Sequence, residues 1–487
     1  MDYQARQGSG CVPLYLGVDD TDSLHGMCTT YLATELVRAL SHVDLIGYPR
    51  LVRLNPNIPW KTRGNGAICL RLGRGRGPKF LVGEIEGRAV WAYPRGAAVS
   101  SMEYIAEAVA RIVEAWAEFD DPRTNPAFVL LRHRPRPGLY WRAVRDVVAK
   151  EDALSEIQGL GIAREWKNGR GVIGAAAATA WRPRDRTYEV LAYRHPSRWG
   201  SRREIPAEPV RRLGERFPST FNNYDWEEGR VVITPRTPCP ILCGIRGDDP
   251  GELPSALASL GGEPPDRWLL FETNQGTDDH VLHHPEVARP WTTVDIEGTV
   301  VSHPRTIVGG HVVVPVRWRE PLNLVAYEPS KGFRDVVRAL SPGDRVRAIG
   351  AVRETPRSVN LEKLQVITLA STFAKAGNPH CPSCGKRMKS SGRAGPYRCR
   401  RCGVRRPQSD APPVLRAREI DPGWYEPPVG SRRHLSQPLK RRFPARFDRK
   451  GGSRQNAQQG LPQFSRGADS LPTTSPAYLP ADIKEDL

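Results

Sequence analysis

Asp19, Asp20 and Asp22 place three carboxylates within four residues. They follow the apolar run 13–18 (PLYLGV), which reads as a short buried strand. Like charges this close repel, and a cation or hydrogen-bond donors must offset the cost. Hard carboxylate oxygens suit Mg²⁺, which commonly sits on one or two protein carboxylates plus nucleotide phosphates. A helix opening over 26–30 offers free amides and the hydroxyls of Thr29 and Thr30 to a phosphate. The plain alternative is an Asp-rich turn that caps this helix.

A second loop, 55–66 (NPNIPWKTRGNG), precedes another strand. Lys61 and Arg63 stand beside Gly64, Asn65 and Gly66, so cations and backbone N–H groups can meet one anion. No GxxxxGK[ST] motif occurs. An acidic loop for Mg²⁺ and a basic glycine loop for the transferred group are what metal-assisted phosphoryl transfer needs.

Cys381, Cys384, Cys399 and Cys402 form two CxxC pairs with fourteen residues between them. Four thiolates at this spacing enclose Zn²⁺ tetrahedrally with no open position, so the expected site is structural. Lys386, Arg387, Lys389, Arg393, Arg398, Arg400, Arg401, Arg405 and Arg406 surround it, without one Asp or Glu over 378–408. With a net charge of +19, this one-signed ribbon suits a phosphate backbone.

These residues need elements to hold them. A chain of 487 residues, 39% hydrophobic, fits about three or four domains. The run 13–18, the acidic loop and a helix from about 29 read as the start of an α/β unit. A strand is expected over 66–72 and a helix over 101–118. Residues 127–191 read as α+β around the Gly-rich turn 168–171, and 231–234 and 268–272 as strands. From about 291 the pattern is all-β. Strands are expected over 293–302, 311–316, 323–327, 345–352 and 364–369, with a helix over 332–340, the order of an OB-fold barrel. Residues 440–487 read as a disordered tail, basic first and acidic last. No run of about 18 apolar residues and no signal pattern occur, so a membrane is not expected. Nine cysteines, four of them in one cluster, suit a reducing compartment, which places the protein in the cytoplasm.

Taken in order, GVDDTDS (17–23), GMCTTYL (26–32), RLNP (53–56) and KTRGNG (61–66) resemble the archaeal tRNA(Ile) 2-agmatinylcytidine synthetases. The resemblance continues through GRG (169–171), 222–226, TPCP (237–240), GIRG (244–247), the barrel and the ribbon, and ends near RHLSQPL (433–439). It implies a multidomain α+β protein. An ATP-using kinase-like domain would span 11–147 and a ferredoxin-like domain 148–285, the latter with strands that complete the catalytic region. An OB-fold over 286–372, a zinc ribbon over 378–408 and a tRNA-contacting segment over 409–439 would follow.

The implied reaction joins agmatine to C2 of the wobble cytidine of a tRNA(Ile) with a CAU anticodon, so that AUA is read as isoleucine. ATP is split to AMP and pyrophosphate-type products, and the C2 oxygen is phosphorylated before the amine displaces it. Asp19, Asp20 and Asp22 would hold Mg²⁺ and ATP. Thr29 is the threonine that matches the one phosphorylated in the family, with Thr30 adjacent and Thr21 a second candidate. Thr21, Thr30, Lys61, Arg63, Gly64 and Asn65 would contact phosphates. Asp225, Trp226, Cys239 and Gly244 are the candidates for agmatine. The competing reading is a non-catalytic tRNA-binding protein, in which the barrel and ribbon explain the charge and the acidic loop is only a turn.

Overall fold

The computed structural model describes residues 12–99, 102–392 and 395–444. Cys11 and the tail from 445 onward lie outside them. Residues 440–444, expected to begin the unstructured tail, are described: Leu439–Arg442 is a helical turn pinned by Arg441 to Asp185 and Asp248.

The Leu14–Asp19 strand lies inside a thirteen-stranded sheet. It pairs antiparallel with Gly66–Arg76 on one side and Ala127–Leu131 on the other. The expectation of an α/β unit therefore needs correcting, because the first strand has no parallel neighbour. The reason lies in its two covered faces. Leu14, Leu16 and Val18 point into a core shared with the helices Thr29–Ala39 and Met102–Trp116. Tyr15 points into a second core under Gly171–Ala180. Burial on both faces yields a continuous apolar run whichever way the neighbours are directed.

The Gly171–Ala180 helix (GVIGAAAATA) sits unusually close to the sheet. A Cβ on Gly17 would lie 2.1 Å from the carbonyl oxygen of Ala175. Small residues on both partners permit this approach, and it brings the helix's first turn to the end of the strand.

The same sheet continues through Thr187–Tyr193, Ile241–Gly247 and Arg267–Thr273. Arg267–Thr273 pairs antiparallel with Phe80–Ile85 and parallel with Arg50–Arg53, joining the two halves. The segment 244–247, quoted above only as a motif, is the end of the Ile241–Gly247 strand. The strand expected over 231–234 is only the short pairing of Arg230–Val231 with Tyr224–Asp225.

Five strands then close a barrel: Thr293–Val300, Val312–Arg317, Pro321–Ala326, Arg345–Arg353 and Ser358–Thr368. The first pairs with the second and fourth, the fifth with the fourth and, in parallel, with the third. The Phe333–Arg338 helix lies between the third and fourth strands and contributes Phe333, Val336 and Val337 to the core. The fifth strand begins at Ser358, earlier than the expected 364.

Candidate active site

The acidic loop leaves the sheet at Asp19 and turns sharply. Asp20 has φ +58°, in the left-handed region that non-glycine residues seldom occupy. The Asn125 amide donates to its Oδ2 at 3.1 Å. Asp19 faces the first turn of Gly171–Ala180, where a Cβ on Gly174 would stand 1.8 Å from its Oδ2. Burial, reinforced by the Asp20 charge, pushes the Asp19 carboxyl well above its usual range, against the Asp20 backbone amide that favours the anion. Burial and then the Asp22 charge push Asp20 up to about 7, against the Asn125 amide and Arg170. Two carboxyls that keep protons this readily are suited to exchange them for a cation.

Asp22 is placed differently. Thr62 Oγ1 donates to its Oδ1 at 2.7 Å, and Arg63 donates to its Oδ2 from Nε at 2.9 Å and Nη2 at 2.7 Å. The acidic and basic loops are thus brought together, as the sequence reading required. Asp22, however, is matched by Arg63 rather than grouped with Asp19 and Asp20. Arg63 also reaches the Met27 carbonyl and Thr237 Oγ1 at 3.4 Å, so it ties both loops to the second half of the sheet.

The candidate threonines cluster at the start of Thr29–Ala39. Thr21 Oγ1 donates to Thr29 Oγ1 at 3.1 Å, and Cys28 Sγ lies 3.0 Å from Thr30 Oγ1. In the basic loop, Lys61 Nζ donates to the Pro56 carbonyl at 2.9 Å. Asn65 Nδ2 donates to the Asn55 carbonyl at 3.0 Å, which closes the loop on itself.

Gly64 and Gly66 make room for a residue the sequence reading left without a role. A Cβ on Gly64 would stand 2.9 Å from Arg53 Nη1, and one on Gly66 3.1 Å from Arg53 Cδ. Arg53 Nε is buried and has no partner among the described residues. Beside it, Glu189 accepts from Arg246 Nε at 2.9 Å and from Gln275 Nε2. Arg246 Nη2 lies 2.9 Å from Nδ1 of His434. Desolvation by the surrounding chain, then the Arg53, Arg246 and Lys61 charges, hold the His434 imidazole well below its usual range, although the residue is exposed at the surface. Arg53, Arg246 and His434 occur in quoted motifs, but Glu189 sits in a strand with no local signal.

The agmatine candidates divide. Cys239 lies close enough to Arg63 and Cys28 to influence both charges, and a Cβ on Gly244 would stand 2.9 Å from Glu189 Oε1. Asp225 is turned to other work. Its Oδ1 accepts from the amides of Glu227 and Glu228 at 3.1 Å each, and its Oδ2 from that of Gly430 at 2.8 Å. Trp226 packs its ring on Tyr224, with centroids 4.9 Å apart. Among the described residues, none of these hydrogen bonds and ring contacts reaches the acidic loop or the basic loop.

The four ribbon cysteines have their sulfur atoms within 4.8 Å of one another. Two matching turns deliver them. The amides of Gly385 and Gly403 donate to the carbonyls of Cys381 and Cys399 at 2.9 Å, and both glycines have φ near +70° (+69° and +71°). A tetrahedron with Zn–S bonds of about 2.3 Å needs sulfur atoms roughly 3.8 Å apart, so the set fits structural zinc. Cys384→Ser is expected to release zinc, read by metal analysis, and to weaken tRNA binding about tenfold by filter assay. Unchanged affinity after zinc loss would remove the ribbon from the RNA interface.

Three family models match the chain: the TiaS TCKD domain over 15–167, the TiaS FLD domain over 169–280 and the TiaS C-terminal zinc ribbon domain over 378–420. The 2-agmatinylcytidine synthetase TiaS of Archaeoglobus fulgidus, which acts on an isoleucine tRNA, is 38% identical over 441 residues, which cover 88% of this chain and 97% of that protein. The enzyme of the same name from Methanocaldococcus jannaschii is 36% identical, with 88% and 99% covered. A crystal structure of TiaS with its isoleucine tRNA and ATP matches with a TM-score of 0.76 at 35% identity, covering 88% of this chain and 97% of that one. A complex of TiaS with the same tRNA, AMPCPP and agmatine matches with a TM-score of 0.73 at 34% identity and the same coverage. The chain belongs to the TiaS family of tRNA(Ile) 2-agmatinylcytidine synthetases.

Proposed function

We propose that this protein is an ATP-dependent ligase that attaches agmatine to C2 of the wobble cytidine of tRNA(Ile) with a CAU anticodon. The product, 2-agmatinylcytidine, lets that tRNA read AUA as isoleucine. The observation that carries the reading is the 38% identity to a curated synthetase over nearly the whole of both chains. The site supports it, because a mere RNA-binding protein has no use for two carboxyls that burial and mutual charge hold well above their usual range.

We assign the kinase-like role to the N-terminal half of the sheet, the ferredoxin-like role to the second half and an OB-fold to the barrel. Asp19 and Asp20 would hold Mg²⁺, which would supply positive charge to the phosphates of ATP. Asp22 orients Arg63 instead, and Arg63 and Lys61 steady the phosphates. The C2 oxygen takes a phosphoryl group from ATP. The agmatine amine then attacks C2, the oxygen leaves with the phosphate, and the amine loses a proton. Phosphorylation is needed because an amide-like oxygen is a poor leaving group. Thr29 is the threonine we assign to phosphorylation, and Cys239 and Gly244 border the agmatine side. The cation-rich ribbon and barrel grip the tRNA, and the wobble base is splayed out to reach the cleft. No described helix is long and apolar enough to cross a membrane. We assign the reaction to the cytoplasm because its substrate is a tRNA.

The test is ATP consumption with Mg²⁺, CAU-anticodon tRNA and agmatine, each omitted in turn. The synthetase needs all of them for agmatine to enter the tRNA. Turnover independent of tRNA would leave a plain kinase or ATPase as the better description.

A further inference from the structure

Segment 433–439 (RHLSQPL) has no part in the steps above. After Gly423–Tyr425 pairs with the barrel's fifth strand, the chain returns to the N-terminal sheet and passes beside the basic loop. It is anchored on both sides of His434. Arg433 Nη1 donates to Asn57 Oδ1 at 2.8 Å, and Leu435 is buried in the core beneath Gly171–Ala180. The Gln437 amide donates to Asp278 Oδ1 at 2.7 Å. The Gly276 amide donates to the carbonyl of His434 itself at 2.8 Å. The backbone is therefore held without help from the imidazole.

The ring lies against Gly64, where a Cβ would stand 3.6 Å from both Cδ2 and Nε2. Arg246 Nη2 is 2.9 Å from Nδ1. A guanidinium has donors only, so Nδ1 accepts and the proton of the neutral ring sits on Nε2. Arg53, Arg246 and Lys61 carry the charges that act on this ring. Glu189, the carboxylate that pairs with Arg246 and acts most on Arg53, already has Arg246 on one oxygen and Gln275 on the other. Arg53 Nε is buried without a partner among the described residues. Arg53, with its orphaned Nε, and Arg246 thus put cationic donors beside an exposed imidazole, and an anion is the ligand that satisfies them.

We propose that His434 is a phosphate-binding residue of the reaction. Its Nε2–H donates to a phosphoryl oxygen held among Arg53, Arg246 and Lys61, and the C-terminal segment completes the active site. The inference rests on the synthetase reading for the reaction, but the binding it describes is measurable without it. The phosphate comes either from ATP or from the tRNA backbone.

His434→Leu and His434→Gln separate the outcomes, since the glutamine amide can reach the Nε2 position as a donor. Equilibrium binding of ATP and of CAU-anticodon tRNA is measured for each, with the thermal midpoint as control. His434→Leu is expected to weaken one of the two by at least about tenfold, the size of a lost hydrogen bond to a charged group. His434→Gln restores most of it, and the thermal midpoint holds. Loss on the ATP arm assigns the triphosphate, and loss on the tRNA arm alone assigns a backbone phosphate. Affinities within twofold of wild type on both arms overturn the proposal. So does a glutamine variant as defective as the leucine one, with a lowered midpoint, which would make His434 a structural brace. A wild-type protein that binds ATP but never transfers agmatine refutes the synthetase reading and leaves the His434 comparison intact.

Discussion

Asp20→Asn is expected to lower agmatine transfer by about a thousandfold or more, roughly 4 kcal/mol of barrier, while stabilising the unliganded protein at neutral pH. The first effect follows from the loss of a carboxylate that would hold the cation beside ATP. The second follows from its proton. Asp20 titrates at about 7 in the folded chain, above the ordinary value near 3.9. The folded state therefore binds the proton more tightly than the unfolded state does. The stability tied to that proton is full below about pH 4 and is lost as pH rises through about 7. Asparagine never ionises, so the variant escapes this loss. Its thermal midpoint should exceed that of wild type at pH 8, and the gap should close toward pH 4. Affinity for tRNA should stay unchanged if, as proposed, the ribbon and barrel supply the grip. A variant that keeps more than a tenth of wild-type transfer would remove Asp20 from the cation site. One that loses tRNA binding would overturn the division between catalytic cleft and RNA-gripping surface.

What was legible in the sequence depended on how local the cause was. The barrel's strands and its single helix show in the order of apolar runs, because each strand buries one face in a common core. The ribbon shows in cysteine spacing alone, since two identical turns build it. The acidic and basic loops were legible as chemistry, and Arg63 on Asp22 joins them across forty-one residues. The antiparallel neighbours of Leu14–Asp19 were not legible. Strand direction is set by partners at 66–76 and 127–131, and a strand covered on both faces carries no mark of it.

The rest of the site was hidden for the same reason. Arg53, Glu189, Arg246 and His434 come from four distant segments, and no periodicity links them. Sequence reasoning assigned Gly64 and Gly66 to a ligand, whereas their lack of a side chain first serves Arg53. Asp225 looked available because it is an acid beside an aromatic residue. In the fold its carboxylate accepts three backbone amides and holds 225–228 to the segment at Gly430. An acid that organises backbone and one that binds a dication read alike until their neighbours are known.

Arg63→Ala should be the most damaging change to cleft stability, because it strips a nearly buried carboxylate of its partner. The two side chains are 13% and 14% exposed, so water compensates little. Breaking such a pair from one side costs about 3–5 kcal/mol, most of it from the charge left behind. The damage also spreads. Arg63 holds the Met27 carbonyl, just before the Thr29–Ala39 helix, and Thr237 on the second half of the sheet. Agmatine transfer should fall by at least about a hundredfold, since the phosphate cation and the join between the two halves are lost together. Arg63→Lys should recover only part of this, because an ammonium lacks the fork that reaches Asp22, Met27 and Thr237 at once. Adding Asp22→Ala to Arg63→Ala should restore stability without restoring transfer. Denaturant melts of the single and double variants then give the pair's coupling, and transfer assays show what the cation does beyond that pairing. Strictly additive losses in the double variant would mean that Asp22 and Arg63 act separately. A fully active Arg63→Lys would reduce Arg63 to a simple charge.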